Sequence, residues 1–412
     1  MPSLPLPAVS GALPASCDVL IVGAGPAGSA CAATLARAGR EVLLVDQHDF
    51  PRDKICGDGL IPDSHAAMRR LGVLDEVMAH AQPAAHVRCV APRGGQVDVP
   101  GRLAVLPRRV LDDLLAAHAR RLGATMVTPV RFEAPLEEGG RVVGARLRHR
   151  GETAEVRARW VILATGAGVQ PIVSAGLCTR RTPSGIALRG YVRNPAMAGR
   201  HPTMDVVWDR VLTPGYGWIF PAGPDTWNIG VGACFRRDAA GRDVAADVNL
   251  RRMFDDFARA YAPARALMDG GELQGDLRGA PLRCTLEGAR IGRPGLLATG
   301  EAIGSTYDFT GEGIGKAMET GMLAAEALLG TAPGDDAGAL AAYDAALERL
   351  RPRFALYRKA NQVNRHPWLA DLVIWRARRD ASVLRRMGGV LDETSNPGNL
   401  VSVRGVLGLV FR

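Results

Sequence analysis

Gly23, Gly25 and Gly28 stand in the order Gly-Ala-Gly-Pro-Ala-Gly, the spacing that lets a chain wrap a pyrophosphate. The first glycine permits the tight turn, the second lets the backbone approach the phosphates, and the third lets helix and strand pack closely. A helix opening at this point adds N–H donors and a partial positive charge. Asp46, 18 residues after Gly28, ends the next strand, where a carboxylate can accept from ribose hydroxyls. A lone glycine motif is a weak signal. The strand, helix, strand and acid around this one make it a dinucleotide site rather than a glycine turn that merely packs a sheet.

Three further segments favour FAD over NAD. Arg108 opens a helix and can reach a phosphate or the ring region. Ala164-Thr165-Gly166 ends a buried strand where a backbone turn can lie against the cofactor. Near the end of another strand stand Gly300 and Glu301, then Gly311-Glu312-Gly313-Ile314, which starts a second helix. A carboxylate there suits ribityl hydroxyls, and the helix N-terminus suits the N1/O2 edge of a reduced flavin. Ala27 and Val130 complete the expected FAD contacts. No second glycine fingerprint marks a separate nicotinamide domain; the expected electron donor is NAD(P)H or a separate reductase.

The elements that must hold these residues are legible in outline. DVLIV (Asp18–Val22) and EVLLVD (Glu41–Asp46) are short buried strands flanking an Ala-rich helix closed by Gly39. Val110–Leu122 reads as a helix, Thr125–Leu147 as alternating strands, and Trp160–Ala164 as a buried strand. Residues 180–235 alternate and are rich in Gly, Trp and β-branched residues, an antiparallel pattern. Asn249–Met268 and Gly315–Leu329 read as helices, with a strand at Gly295–Thr299 between them. The chain is helical almost throughout from Asp336. The expected fold class is α/β: a Rossmann-like FAD-binding domain interrupted by a mostly antiparallel β-sheet substrate domain, with a helical C-terminal tail. The division is a leader at 1–16, FAD-binding segments at 17–75, 100–170 and 281–330, the sheet domain at 76–99 and 171–280, and helices at 331–412.

GAGPAGSACA, FPRDKICGDGL (Phe50–Leu60), GIALRGYV (Gly185–Val192), PGYGWIFP (Pro214–Pro221), WNIGVG (Trp227–Gly232), GEAIG and FTGEGIGKAMETG together resemble the geranylgeranyl reductase family of FAD-dependent oxidoreductases. That family lies within the wider group with the p-hydroxybenzoate hydroxylase type of FAD fold. The likeness covers roughly residues 17–330. It implies that Asp46 binds the adenosine ribose and that Arg108 and Glu301 hold FAD. It places Cys56, Gly57 and Asp58 near the ring, and Tyr216, Trp218 and Phe220 along a substrate channel. Glu301 stands where an Asp is usual, Asp308 where a Pro is usual, and Thr165 where an Asp is usual.

The expected reaction is reduction, or the reverse dehydrogenation, of a C=C bond in an apolar isoprenoid-like or specialised metabolite, by hydride transfer at flavin N5. An unactivated double bond has no carbonyl to take up charge, so an acid must stand close in a dry site. Cys56, Asp58 and Tyr216 are the candidates, and Asp308 is a fourth position able to alter the chemistry. Each has a plainer reading: a small buried thiol, a turn cap, core packing, a loop carboxylate. Arg52 and Lys54 read equally as a solvated pair or as cofactor contacts. The alternative function is a flavin monooxygenase. A halogenase is disfavoured because residues 60–100 contain no lysine.

Composition narrows the rest. Of 412 residues, 47% are hydrophobic and 23% charged, which excludes wholesale disorder. Seven cysteines without a CxxC pair suggest reduced thiols, and eight scattered histidines imply no metal site. The N-terminus lacks a signal-peptide pattern, so a cytoplasmic chain is expected. The net charge of +9 matches the excess of 11 basic over two acidic residues in 349–386. No nucleic-acid-binding pattern accompanies it. That segment, with Trp368 and Trp375, suits peripheral contact with the anionic inner membrane face, or else packs on the FAD domain with its arginines solvated. An electron-donor protein is the other expected partner.

Overall fold

The computed structural model describes residues 11–178, 182–237, 243–244 and 247–397. Most of the expected leader (1–10) and the end of the helical tail (398–412) lie outside the described residues.

The chain opens as its hydrophobic runs require. Strand β1 (Ser16–Val22) and strand β2 (Val42–Val45) pair in parallel around helix α1 (Pro26–Arg37). Both strands are nearly continuous apolar runs because helices cover one face and further elements the other. Then come β3 (Gly59–Leu60), α2 (Pro62–Leu71), α3 (Leu74–His80), the hairpin β4 (Gln82–Val90) and β5 (Gln96–Val105), and α4 (Arg108–Arg121). Strands β6 (Thr125–Val127), β7 (Val130–Glu138), β8 (Arg141–His149) and β9 (Glu152–Leu163) follow, with α5 (Val169–Ser174) after them. The middle of the chain supplies β10 (Gly185–Arg193), β11 (Met204–Val207), β12 (Gly215–Pro221), β13 (Thr226–Cys234), the short ribbon β14 (Arg236–Arg237) and β15 (Asp243–Val244), α6 (Leu250–Ala260) and α7 (Ala262–Asp269). Strands β16 (Glu272–Leu273), β17 (Arg278–Leu282), β18 (Gly292–Arg293) and β19 (Leu296–Ala298) lead to α8 (Ile314–Leu329). Five helices end the described chain: α9 (Asp336–Glu348), α10 (Arg351–Ala360), α11 (Gln362–Arg365), α12 (Trp368–Ala377) and α13 (Ala381–Leu391).

Two sheets organise these elements. The first has the order β18-β19-β9-β1-β2-β6, with β7 and β8 continuing antiparallel from β9. Its centre, β19-β9-β1-β2-β6, is parallel. The second has the order β16-β10-β13-β12-β11-β4-β5-β3, and β17 also pairs with β10. Its pairings are antiparallel except β4 with β11. Helices α6 and α7 bury Phe254, Phe257 and Leu267 on one face of this sheet. The other face meets α12 and α13 through Leu369, Val373, Ile374 and Val383.

Three local differences from the sequence reading have physical causes. Strand β9 begins eight residues before Trp160, because its alternating first half pairs with β8 and only its buried end lies between β1 and β19. The helix expected over 249–268 is two, since Pro263 near the start of α7 has no N–H for a continuous ladder. The second sheet also takes residues 59–60 and the second half of β5 (100–105), which the sequence division left with the FAD-binding segments. Residues 103–106 are an apolar run that reads as a lead-in to α4.

Candidate active site

The glycine loop between β1 and α1 separates three requirements. Gly23 has φ +104°, and a Cβ there would meet the Ala164 carbonyl oxygen at 2.3 Å. A Cβ on Gly28 would lie 1.8 Å from the Gly23 oxygen. Gly25 differs. Its backbone is extended (φ −75°, ψ −173°), open to any residue. The nearest atoms to a Cβ there are Nη2 of Arg52 at 3.7 Å and Nη2 of Arg108 at 3.8 Å. Gly25 therefore faces a cavity bordered by two guanidinium groups. It caps α1, whose first N–H groups point the same way.

Asp112, fully buried on α4, fixes both arginines. Arg108 donates to it through Nε at 2.6 Å and Nη2 at 2.8 Å, and Arg52 pairs with it at 3.0 Å. Asp46 accepts from the Ala24 N–H at 2.9 Å and the His48 N–H at 3.0 Å, at the same cavity wall. The Val130 N–H donates to the Asp46 carbonyl at 2.6 Å, which seats the start of β7 beside it.

The cavity has a volume of about 1090 Å³. Thr165, Gly166 and Glu301 border it beyond the arginines. Gly166 has φ +68°, and a Cβ there would stand 4.0 Å from Glu301 Oε2. The Glu301 carboxylate accepts weakly from the Arg283 N–H at 3.3 Å. Gly300 lets this turn close on α1, since a Cβ there would meet Ala27 Cβ at 2.6 Å. Gly313 caps α8, and Ile314 lies at its first turn on the cavity wall. Gly311 has φ +68° and passes directly under the Tyr216 hydroxyl.

The residues fit FAD. Gly25 leaves the space a phosphate needs, two cations flank that space, and the buried Thr165 hydroxyl has no partner within the protein. Two helix N-termini, of α1 and α8, border the same cavity.

The substrate side is aromatic. Tyr216, Trp218 and Phe220 alternate on β12 and share its cavity face. The opposite face of that strand is closed, because a Cβ on Gly217 would meet the Phe257 ring at 2.7 Å. Trp218 lies over Gly230, where a Cβ would stand 2.3 Å from its ring. Trp208 and Phe309 stack with centroids 6.3 Å apart and continue the wall.

Beside these rings is a polar knot that sequence reasoning largely missed. Asp58 has φ +65° and no exposed surface. It accepts from the Tyr191 hydroxyl at 2.5 Å, Asn228 Nδ2 at 2.8 Å and the Arg108 N–H at 3.3 Å. Asn228 also donates to the Cys56 carbonyl at 2.8 Å and accepts from Trp218 Nε1 at 2.9 Å. Arg189 lies 4.4 Å from the Tyr191 ring centroid and pairs with Asp53 at 2.6 Å. Burial pushes the Asp58 carboxyl up to about 6, against the opposing pull of the Tyr191 hydrogen bond and Arg189. Tyr191 and Asn228 gave no signal beyond strand alternation, since their partner is more than 130 residues away in the chain.

Gly57 approaches Phe220, with Lys54 and Cys56 on the same wall. Burial raises the Cys56 thiol, while the Arg108 charge works the other way. Tyr216 donates to the Thr310 carbonyl. The Asp308 carboxyl faces Asn361 at 3.3 Å, behind the wall rather than on it. Glu312, not singled out from sequence, stands against Asp63 at the start of α8. Burial and then the Asp63 charge hold its carboxyl well above the ordinary carboxylate range.

A dinucleotide cradle running into an apolar channel suits a flavoprotein oxidoreductase. Residues 16–187 match the FAD binding domain family model. Menaquinone reductase of Mycolicibacterium smegmatis is 35% identical over 325 residues, spanning 75% of each chain. Digeranylgeranylglycerophospholipid reductase of Methanoculleus marisnigri is 28% identical over 321 residues, again 75% of each. Among solved structures, a geranylgeranyl bacteriochlorophyll reductase-like protein of Thermoplasma acidophilum superposes with TM-score 0.71 at 23% identity, covering 96% of both chains. A flavin-dependent brominase gives TM-score 0.72 at 21% identity, covering 93% and 96%, a likeness of fold alone. The chain belongs to the geranylgeranyl reductase family of FAD-dependent oxidoreductases.

Proposed function

We propose that the protein reduces a carbon–carbon double bond in an apolar, isoprenoid-like molecule, of which a menaquinone-type polyprenyl quinone is the leading candidate. The carrying observation is the aromatic channel of Trp208, Tyr216, Trp218 and Phe220 opening directly from the dinucleotide cradle. Menaquinone and geranylgeranyl lipid reductases among the relatives support the substrate class.

Gly25, Arg52, Arg108 and Glu301 would hold the flavin, which in its two-electron-reduced form would supply a hydride to one alkene carbon. The chain's own part is to hold the double bond, exclude water and deliver a proton to the other carbon. Cys56 is the favoured donor among the sequence candidates. Asp58 is engaged as an acceptor of three hydrogen bonds, and the Tyr216 proton is directed at Thr310. The Cys56 thiol is protonated at neutral pH because burial raises it. When Sγ gives up its proton, the Arg108 charge favours the thiolate, and Asp112 keeps that guanidinium in place. The reducing equivalents come from NAD(P)H or a separate reductase.

Anaerobic mixing with NADPH tests the donor: prompt bleaching of the flavin band indicates direct reduction. Dithionite-reduced enzyme is then mixed anaerobically with menaquinone. Reoxidation with formation of a dihydro product supports the proposal, and Cys56→Ser slows it roughly 10²–10⁴-fold, as for loss of a positioned acid. Reduced enzyme that no polyprenyl compound reoxidises without oxygen refutes it.

A further inference from the structure

Helices α12 and α13 have two faces with different business. Their inner faces form part of the substrate cavity through Val373, Ile374, Met387 and Leu391. They lie directly on the β4–β5 hairpin: a Cβ on Gly95 would be 3.6 Å from Ile374, and one on Gly101 3.4 Å from Leu391. An apolar inner face is ordinary for a helix packed on a sheet. The outer face is not ordinary. Trp368 is 55% exposed and Trp375 43%, the only aromatic side chains among the exposed large hydrophobics of the described residues.

The two tryptophans are seven residues apart, so both project from one side of α12. Leu372 stands between them, and Arg379 continues the row with its guanidinium 4.7 Å from the Trp375 ring. Arg378, Arg379, Arg385 and Arg386 are exposed, and none pairs with a carboxylate among the described residues. The acids within 368–386 are engaged. Asp371 accepts from the Arg93 N–H at 3.0 Å, and Asp380 caps α13 and meets Arg376. A large aromatic surface exposed to water is costly, and one that shares a helix pair with exposed arginines, Arg379 directly beside Trp375, matches the boundary between anionic headgroups and acyl chains.

We infer that the outer face of α12 and α13 docks on an anionic phospholipid surface, making this helix pair the membrane-side wall of the substrate channel. The cavity lining and the exposed tryptophans lie on opposite sides of the same short helices. A lipid-dissolved molecule need cross only that wall to reach the apolar arm and never passes through water. This rests on the proposed apolar substrate for its purpose, but not for the docking itself. Among the described residues no helix is long and apolar enough to cross a membrane.

Holoenzyme is sedimented with phosphatidylglycerol–phosphatidylcholine vesicles and with pure phosphatidylcholine vesicles. Binding is expected to the first, weakening as salt rises, with a blue shift of tryptophan emission. Reversing Arg378, Arg379, Arg385 and Arg386 to Glu should weaken binding by roughly a hundredfold or more, since each charge near such a surface is worth about fivefold. Trp368→Ala with Trp375→Ala should remove the emission shift. Both variants should keep the wild-type melting temperature and flavin spectrum. They should turn over a short prenyl alcohol in buffer as wild type does, yet lose turnover of menaquinone held in anionic vesicles. Equal partitioning of wild type and variants, or equal binding to both vesicle types, overturns the inference. Binding that behaves as expected while no prenyl probe reacts upholds the docking surface and refutes only the proposed reduction.

Discussion

Gly25→Val should separate cofactor binding from folding. The extended backbone of Gly25 suits valine as well as glycine, and nothing within 3.7 Å of its Cβ position obstructs a side chain. The apoprotein should therefore fold normally. The added methyl groups occupy the space between Arg52 and Arg108 through which a pyrophosphate must approach the α1 N-terminus. Losing two backbone hydrogen bonds to a charged phosphate costs about 3–6 kcal/mol, or roughly 10²–10⁴-fold in FAD affinity. Gly28→Ala is the contrasting variant. Its Cβ would stand 1.8 Å from the Gly23 oxygen, so helix and strand must part. That clash costs about 1–3 kcal/mol or more of stability, whatever happens at the cofactor. The assay is titration of apoprotein with FAD, followed by flavin fluorescence, beside thermal melts of each apoprotein. Wild-type FAD affinity in Gly25→Val, or an apoprotein that melts as low as that of Gly28→Ala, would refute this role for Gly25.

The Asp58 carboxyl, held near 6 in the fold against 3.8 for an ordinary aspartate, binds its proton more tightly folded than unfolded. Its stabilisation is then complete below the unfolded value and lost as pH rises from about 4 through about 6, on the order of 3 kcal/mol at most. Asp58→Asn should flatten the unfolding free energy across that window in denaturant titrations, and an unchanged slope would remove burial as the cause. Trp218→Ala opens the channel wall beside Gly230 and releases Asn228, so substrate binding should weaken by about 2–4 kcal/mol. If isothermal titration shows unaltered affinity and only the melting temperature falls, Trp218 is a core residue alone.

The geometry of the glycine loop was largely legible in sequence because its parts act through the backbone at short range. Gly23, Gly25 and Gly28 each answer a local steric demand, and Asp46 follows within one βαβ unit. Hydrophobic runs likewise marked β1, β2 and α8, since a strand or helix buried on both sides must be apolar almost throughout. Tertiary structure alone decided which polar groups meet. Asp112 became the anchor of Arg52 and Arg108, Asp58 the acceptor for Tyr191 and Asn228, and Glu312 the neighbour of Asp63. No local pattern encodes such contacts, because a carboxylate reads alike on a solvated turn and in a buried knot until the chain closes over it. The same holds for the C-terminal helices. Their sequence shows apolar residues, tryptophans and arginines at helical spacing, compatible with a wholly packed face. Only the docking of α12 and α13 on the second sheet divides that set into cavity lining on one side and exposed Trp368 and Trp375 on the other. Burial depends on which surfaces come together, and a one-dimensional pattern fixes the faces of a helix without fixing what each face meets.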